Sequence, residues 1–143
     1  MQSTIAKRRV FVSYHHADQQ WKDYFVSEYA DRHGIFVDGS LDDRVDSTQP
    51  EYVHRQIREE FITGTSLTIV LCGAETWKRR YIDWELHSTL LKRHGLLGLV
   101  IPGTAPTGPN SYRVPDRLED NVSQYAVFRE WPPNAAVLRS WIE

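Results

Sequence analysis

Apolar and polar positions along this chain follow two alternating patterns. Short runs of consecutive apolar residues predict strands that are buried on both faces, because such strands have no polar side. Between these runs, apolar residues recur three or four positions apart, which is the spacing of one face of an amphipathic helix. Strands that alternate with helices are typical of a parallel sheet with crossover connections. We predict five strands, over residues 9–14, 35–37, 67–72, 96–101 and 125–128.

Capping and stop residues indicate where the predicted helices begin and end. Asp18 is a residue type that caps a helix N-terminus, and Gly34 and Gly95 are common stop residues after a last turn. Pro50 fits the first turn of a helix. We predict helices over about 18–33, 50–61, 75–94 and 134–142, with a short helical turn over 118–122.

These elements fit one α/β fold. It is a flavodoxin-like three-layer sandwich, in which a five-stranded parallel sheet has the order 2-1-3-4-5 and helices cover both faces. With 143 residues and 41% hydrophobic side chains, the chain has the size of a single domain, which we place over 1–143. Ligands of such folds bind at the carboxyl edge of the sheet. The segments predicted to reach that edge are 13–16, 38–46, 73–77 and the loop that starts at Pro102.

Charge and composition narrow the function classes. Lys and Arg total 17 and Asp and Glu total 19, for a formal net charge of -2, so the chain lacks the basic surface that binds nucleic acid. No stretch approaches the ~20 apolar residues of a membrane span, and the N-terminus lacks the apolar segment of a signal peptide. We therefore expect a cytoplasmic protein with no membrane partner. The single cysteine, Cys72, ends an apolar run and is expected to be a buried thiol.

A stretch with an unusual arrangement of charged and aromatic residues follows the third predicted strand. Residues 77–86 read Trp-Lys-Arg-Arg-Tyr-Ile-Asp-Trp-Glu-Leu. Helical spacing puts Trp77, Tyr81 and Glu85 on one face of the predicted third helix, whereas its apolar residues fall on another. A carboxylate beneath two aromatic rings is an unusual position for a surface charge. Glu85 is therefore the first candidate for a functional residue.

Four segments of the chain resemble TIR-like domains, in particular the bacterial TIR-like group of Thoeris antiphage systems. They are Val-Phe-Val-Ser-Tyr over 10–14, Tyr-Ile-Asp-Trp-Glu-Leu over 81–86, Pro-Asp-Arg-Leu-Glu-Asp-Asn over 115–121, and residues 125–131. The resemblance implies that Glu85 cleaves NAD+ between nicotinamide and ribose. It also implies a cyclic or otherwise modified ADP-ribose product that activates a separate effector protein in antiphage defence. The family usually has Trp where this chain has Tyr81.

A single carboxylate suits the implied chemistry. Most glycosidases use two carboxyl groups, because an alkoxide leaving group must be protonated. Nicotinamide leaves NAD+ as a neutral pyridine, so one carboxylate that holds the ribose hydroxyls and stabilises positive charge at the anomeric carbon suffices. The intermediate yields ADP-ribose with water, or a cyclic isomer with an atom of the ligand's own adenosine portion. We expect NAD+ as the substrate and no cofactor.

Candidate substrate-binding residues follow the first two predicted strands. Ser13, Tyr14 and His15 either contact the ribose or diphosphate, or satisfy backbone groups at the strand end. Asp38 and Asp42 are candidates to orient ribose hydroxyls, although an Asp-Gly pair after a strand more often forms a turn.

Three further candidates lie near the start of the third predicted helix. Tyr81 offers an aromatic face to the pyridinium of NAD+. Arg80 is the basic residue expected to neutralise the diphosphate, although 78–80 also fits a solvated basic patch. Trp77 either stacks on a base or fills the core, and the core is the commoner role.

Other kinds of site fit the residues less well. The six histidines have no metal-ligand spacing, so no metal site is expected. The first predicted strand does not lead into a glycine-rich turn, which excludes P-loop and Rossmann nucleotide sites. A response-regulator receiver needs an aspartate at the end of strand three, where this chain has Leu-Cys-Gly over 71–73.

A non-catalytic TIR-like module that assembles with like domains is the main alternative. Aromatic residues such as Trp21, Tyr52 and Trp131 could form its interface. A third hypothesis is a domain that binds NAD+ or ADP-ribose without turnover. A homo-oligomer fits the enzyme as well as the module, since a neighbouring subunit commonly completes a TIR active site.

Overall fold

A parallel β-sheet organises the chain in the computed structural model, which describes residues 7–39, 60, 62–108, 111–122 and 125–142. Within these residues the sheet has five strands in the order β2-β1-β3-β4-β5. Every pairing between neighbours is parallel. The predicted strand order is therefore confirmed. The strands are β1 (Arg9–Ser13), β2 (Val37–Asp38), β3 (Leu67–Cys72), β4 (Gly95–Val100) and β5 (Val127–Glu130).

Helices connect these strands. The first, α1 (Gln19–Phe25), continues as a π-helix over Val26–Arg32. Gly34 then has a φ of 61°, the left-handed conformation of the predicted stop. The helix predicted over 50–61 lies almost wholly outside the described residues. The other described helices are α2 (Arg80–Leu91), α3 (Asp116–Asn121) and α4 (Ala135–Ile142), and short 3-10 turns cover His16–Asp18 and Thr76–Lys78.

The sheet separates two hydrophobic cores, because successive side chains of a strand point to opposite faces. In β3, Leu67, Ile69 and Leu71 join one core, while Val70 and Cys72 join the other. Side chains of α1 and α4 cover the first core, and side chains of α2 and α3 cover the second. Each fully buried aliphatic side chain contributes about 1.5–3 kcal/mol. The alternation along β3 thus holds helices on both faces, which is the predicted three-layer arrangement.

Cys72 ends β3 inside the second core and is 1% exposed. Burial raises the pKa of its thiol to about 12, with the charge of Asp18 as a smaller cause. The thiolate is the reactive form of cysteine. The predicted buried thiol is confirmed, and it is unreactive at neutral pH because little thiolate forms.

Asp18 does not cap α1 with its side chain, contrary to the prediction. It occupies the N-cap position, but its side chain makes no capping hydrogen bond. Its carboxyl group packs against Gly73 instead, where a Cβ atom would come within 2.5 Å of Asp18 Oδ2. Burial raises the pKa of Asp18. Gly73 therefore lets the turn after β1 cross the end of β3 at close range.

Helix α2 is shorter than predicted at both ends. Arg79 has extended backbone angles (φ -86°, ψ 121°), so the 3-10 turn over Thr76–Lys78 is separate from the helix. At the other end, Arg93 takes a left-handed φ of 57°. Gly95 does not close the helix, because it is already the first residue of β4.

Candidate active site

Glu85 lies on the face of α2 that packs against the sheet. The residue is 2% exposed. Ser13, the last residue of β1, is also buried, and its hydroxyl donates a hydrogen bond to Glu85 Oε1 at 2.8 Å. A buried carboxyl group needs such a donor, because an unpaired buried polar group costs about 1–3 kcal/mol. The carboxyl end of β1 and helix α2 thus form the centre of the candidate site.

Two buried threonines hold the turn of α2 that carries Glu85. The Thr89 hydroxyl donates to the backbone carbonyl of Glu85 at 2.8 Å. Thr68, which belongs to β3, has its Oγ1 atom 2.7 Å from Thr89 Oγ1. Because Thr89 gives its proton to the carbonyl, Thr68 is the donor in the second bond. This chain of hydrogen bonds fixes α2 on the sheet at the level of Glu85.

Tyr81 joins the same wall one turn earlier in α2. Its hydroxyl donates to the backbone carbonyl of Tyr14 at 3.4 Å and lies 3.2 Å from His15 Nδ1. The Tyr14 side chain turns toward α1, where its hydroxyl donates to Gln19 Oε1 at 2.8 Å. The structure therefore brings together four predicted site residues, Ser13, His15, Tyr81 and Glu85, and the backbone of a fifth, Tyr14.

His15 is buried, and its surroundings favour the neutral imidazole. Burial is the largest cause that lowers the pKa of His15, and the positive charges of Arg79 and His16 lower it further. Glu75 acts in the opposite direction. A neutral imidazole donates through one nitrogen and accepts through the other. With Nδ1 as the donor, His15 completes the hydrogen bond to the Tyr81 hydroxyl.

Trp77 lies outside this wall, contrary to the prediction from helical spacing. It belongs to the 3-10 turn over Thr76–Lys78 and is 36% exposed. Its indole N–H donates to the carbonyl of Ala74 at 3.1 Å, and the Arg113 guanidinium stacks 4.0 Å from the ring centroid. The expectation that Trp77 fills the core is wrong, because its ring lies at the surface beneath an arginine.

The remaining candidates are placed differently. Asp38 in β2 forms an ion pair with Lys22 of α1 at 3.9 Å. Arg80 is exposed at the first residue of α2. Asp42 lies outside the described residues.

Two of the aromatic residues considered for an assembly interface are engaged inside the protein. Trp21 and Trp131 pack edge to face with ring centroids 5.4 Å apart, and both contact the first core. Tyr52 lies outside the described residues.

Sequence reasoning passed over four residues at or beside the site. Thr68 interrupts an apolar strand and Thr89 lies on the buried face of α2, and these interruptions were the available signal. Arg79 was grouped with a basic run, because nothing local showed that its backbone would be extended. Arg113 lies in a Gly- and Pro-rich loop that has no periodicity to interpret.

The cluster offers one buried carboxyl group, two hydroxyl groups and one imidazole. Away from water, a carboxylate stabilises nearby positive charge more strongly than it does in solution. The arrangement can therefore stabilise a cationic intermediate next to Glu85.

Among the described residues, no three His, Cys, Asp or Glu side chains are grouped so as to hold a metal ion. No helix in that part of the chain is long and apolar enough to cross a membrane.

Solved structures of other proteins share this fold. A Clostridium botulinum CMP N-glycosidase, BcmB, has a TM-score of 0.54 at 9% identity, covering 94% of this chain and 98% of that chain. A conserved protein from Enterococcus faecalis V583 has a TM-score of 0.60 at 10% identity, covering 96% of this chain and 98% of that chain. At these identities the likeness shows the fold alone. No curated protein matches the chain.

The sequence itself matches a known family. Residues 11–106 of the 143 match the family described as Thoeris protein ThsB, TIR-like domain. The matched range includes Ser13, Tyr81 and Glu85, so it covers the hydrogen-bonded cluster at the carboxyl edge of the sheet. The chain belongs to the ThsB TIR-like family of Thoeris proteins.

Proposed function

We propose that this protein cleaves the bond between nicotinamide and ribose in NAD+, with Glu85 as the catalytic carboxylate. Its product is a cyclic or otherwise modified ADP-ribose that activates a separate effector in antiphage defence. The observation that carries the proposal is the buried Glu85 carboxyl group, held by Ser13 at 2.8 Å at the carboxyl edge of the sheet. Membership of the Thoeris family supports the defence role. A structural neighbour named as a CMP N-glycosidase supports N-glycosidic cleavage as the reaction class.

Glu85 acts on the ribose in this proposal. When the N-glycosidic bond breaks, its electron pair leaves with nicotinamide, and positive charge develops at the anomeric carbon. The Glu85 carboxylate stabilises that charge and accepts hydrogen bonds from ribose hydroxyls. The Ser13 hydrogen bond limits rotation of the carboxylate, so the group is in position before the charge develops.

Tyr81 and His15 suit the nicotinamide ring, which is cationic while it is still bonded to ribose. The face of a tyrosine ring attracts the pyridinium of NAD+ before cleavage. The lowered pKa of His15 keeps its imidazole neutral at physiological pH. A neutral side chain does not repel the pyridinium, whereas a protonated histidine would. The inner part of the site therefore presents its charge through Glu85.

Water access decides the product. Attack by water at the anomeric carbon gives ADP-ribose and releases a proton. Attack by an atom of the adenosine portion gives a cyclic isomer instead. A crevice that excludes water favours the cyclic route, since the internal nucleophile is already present.

Liquid chromatography with mass detection on NAD+ incubated with the protein tests the proposal. The wild type and Glu119→Gln, a change at an exposed glutamate of α3, should release nicotinamide with a matching ADP-ribose product. Glu85→Gln should lower the rate by about 10³-fold, because the group that stabilises the transition-state charge is lost. Lysate of phage-infected cells is assayed beside the purified protein, to include any trigger that infection supplies.

The control separates catalysis from folding. Thermal unfolding of both variants should match the wild type closely enough to show that they are folded. Turnover that is absent in both settings would refute the enzyme and favour the assembly module. Turnover that survives in Glu85→Gln would refute the catalytic role of Glu85.

A further inference from the structure

Arg79 links the 3-10 turn over Thr76–Lys78 to helix α2, and its backbone is held on both sides. Its N–H donates to the carbonyl of Thr76 at 3.2 Å, and its carbonyl accepts the N–H of Asp83 at 3.2 Å. The residue is partly buried. Its side chain therefore starts from a defined position beside the site.

One nitrogen of the Arg79 side chain lacks an acceptor. Its Nε atom is shut off from solvent and has no hydrogen-bond partner among the described residues. A guanidinium carries five N–H donors, and native structures rarely leave such a buried donor unpaired. The neighbouring Glu75 carboxylate is paired with Lys78, which is the largest cause that lowers the pKa of Glu75, and the charge of Arg79 lowers it further. The Arg113 guanidinium stacks on Trp77. An anion from outside the described residues would satisfy Arg79.

Arg79 borders the wall that holds Glu85. Arg79 precedes Tyr81 by two residues along the chain. Burial is the largest cause that lowers the pKa of His15, and the positive charge of Arg79 lowers it further. His15 Nδ1 is 3.2 Å from the hydroxyl of Tyr81. Ser13, two residues before His15, binds the Glu85 carboxyl group. An anion held by Arg79 would therefore be attached to the same ligand that reaches Glu85.

We infer that Arg79 binds a phosphate oxygen of the substrate, so that the site takes phosphorylated nucleotides in preference to free nucleosides. This inference rests on the proposed function, because Glu85 marks where the reacting ribose lies. Arginine suits the role, since its planar fork makes two parallel hydrogen bonds to phosphate oxygens. Arg80, which the sequence suggested for the diphosphate, is the exposed neighbour at the start of α2.

Calorimetric binding in a Glu85→Gln background tests the inference, because the probes are then not consumed. The probes are NAD+, nicotinamide mononucleotide, CMP and nicotinamide riboside, of which the riboside alone lacks phosphate. Adding Arg79→Gln should weaken binding of NAD+ and the mononucleotide by about 10- to 100-fold and leave the riboside unchanged. Arg79→Lys keeps the charge without the fork and should recover part of the loss. Arg139→Gln, at an exposed arginine of α4, is the matched control and should change none of these affinities.

The outcomes separate this inference from the proposed reaction. An equal loss for the riboside and NAD+ would overturn the inference, because Arg79 would then only maintain the fold. Failure of every phosphate-bearing probe to bind while Arg79 is intact would overturn it as well. Wild-type protein that binds CMP through Arg79 but does not cleave NAD+ would refute the proposed reaction and support the inference. If Arg79→Gln does not fold, Arg79→Lys gives a smaller version of the test, because it should still weaken binding of NAD+ and leave the riboside unchanged.

Discussion

The inner wall of the site, formed by Ser13, His15, Tyr81 and Glu85, differs in construction from the outer rim, formed by Trp77, Lys78 and Arg113. Inner-wall side chains are held by hydrogen bonds between the end of β1 and α2. Rim side chains are exposed, and they contact one another or a neighbouring acid by stacking and ion pairing. The first set is anchored to a strand and a helix, whereas the second lies on turns and loops.

This difference shows which groups are prepared for chemistry and which for recognition. Groups that stabilise developing charge work best when they are fixed before the substrate arrives. Exposed stacking and ion pairs contribute little each, so they can exchange partners with a ligand at small cost. We therefore expect inner-wall changes to lower kcat strongly and rim changes to affect KM weakly.

After a change of Glu85 itself, Ser13→Ala should cause the largest fall in kcat. Loss of the hydroxyl leaves Glu85 Oε1 without its buried donor, and a carboxylate displaced by about 1 Å costs about 100-fold in rate. The expected result is a 100-fold lower kcat with KM almost unchanged, measured by initial rates of nicotinamide release. Ser140→Ala, at an exposed serine of α4, is the control. Near-normal kcat in Ser13→Ala would mean that Ser13 serves only the strand end.

Thr89→Val tests whether the hydrogen bonds from Thr68 to Thr89 and from Thr89 to the Glu85 carbonyl stabilise the protein. The change keeps the shape but leaves the buried Thr68 hydroxyl without its acceptor, so the free energy of unfolding should fall by about 1–3 kcal/mol. Urea unfolding measures this loss. The double change Thr68→Val with Thr89→Val should cost less than the sum of the single changes, because no unpaired hydroxyl remains. Strict additivity would contradict the coupling.

Trp77→Leu tests the expectation that a change at the rim has only a weak effect on KM. Removing the indole face costs an exposed cation–π contact of about 0.5–1 kcal/mol, so we expect KM for NAD+ to change by less than about fivefold and kcat to stay near wild type. Steady-state kinetics at saturating and limiting NAD+ separate the two constants. A large fall in kcat would place Trp77 in the inner wall after all.

The smallest expected effect is the contribution of His15 to how the free energy of unfolding depends on pH. Its pKa is lowered in the folded protein from 6.5, so the unfolded chain binds the proton more readily, and stability falls as pH drops below 6.5. Urea unfolding between pH 7.5 and pH 5 should therefore show a smaller decline for His15→Gln than for the wild type. His87→Gln is the control for removal of a histidine. Equal slopes for wild type and His15→Gln would mean that the inner wall is wetter than its burial indicates.

Strand positions could be predicted because burial on both faces leaves a direct mark on the sequence. The six consecutive residues of β3, Leu67–Cys72, are all buried and match the predicted strand. In β2, however, Ile35 and Phe36 enter the first core while ladder pairing starts only at Val37. Hydrophobicity reports burial and carries no direct information on where hydrogen bonding begins.

The catalytic candidate and three of its neighbours were named from the sequence, but the contacts between them were not. Helical spacing assumed one continuous helix, and the extended backbone of Arg79 separates Trp77 from α2. The hydrogen bond between Ser13 and Glu85 joins residues 72 positions apart. No local pattern encodes such a contact, since it depends on how α2 packs across β1 and β3. Residue type thus indicated the chemistry, and tertiary packing decided which side chains share it.

The buried Cys72 has a practical consequence for following this protein in solution. It is the single cysteine of the chain, and burial raises the pKa of its thiol to about 12. Alkylating reagents need the thiolate, so the native chain should resist them at neutral pH. Leu91 at the end of α2 is 69% exposed, and Leu91→Cys would place the one reactive thiol of the molecule there. A fluorophore or spin label at that position could then report self-association without any change to the native cysteine.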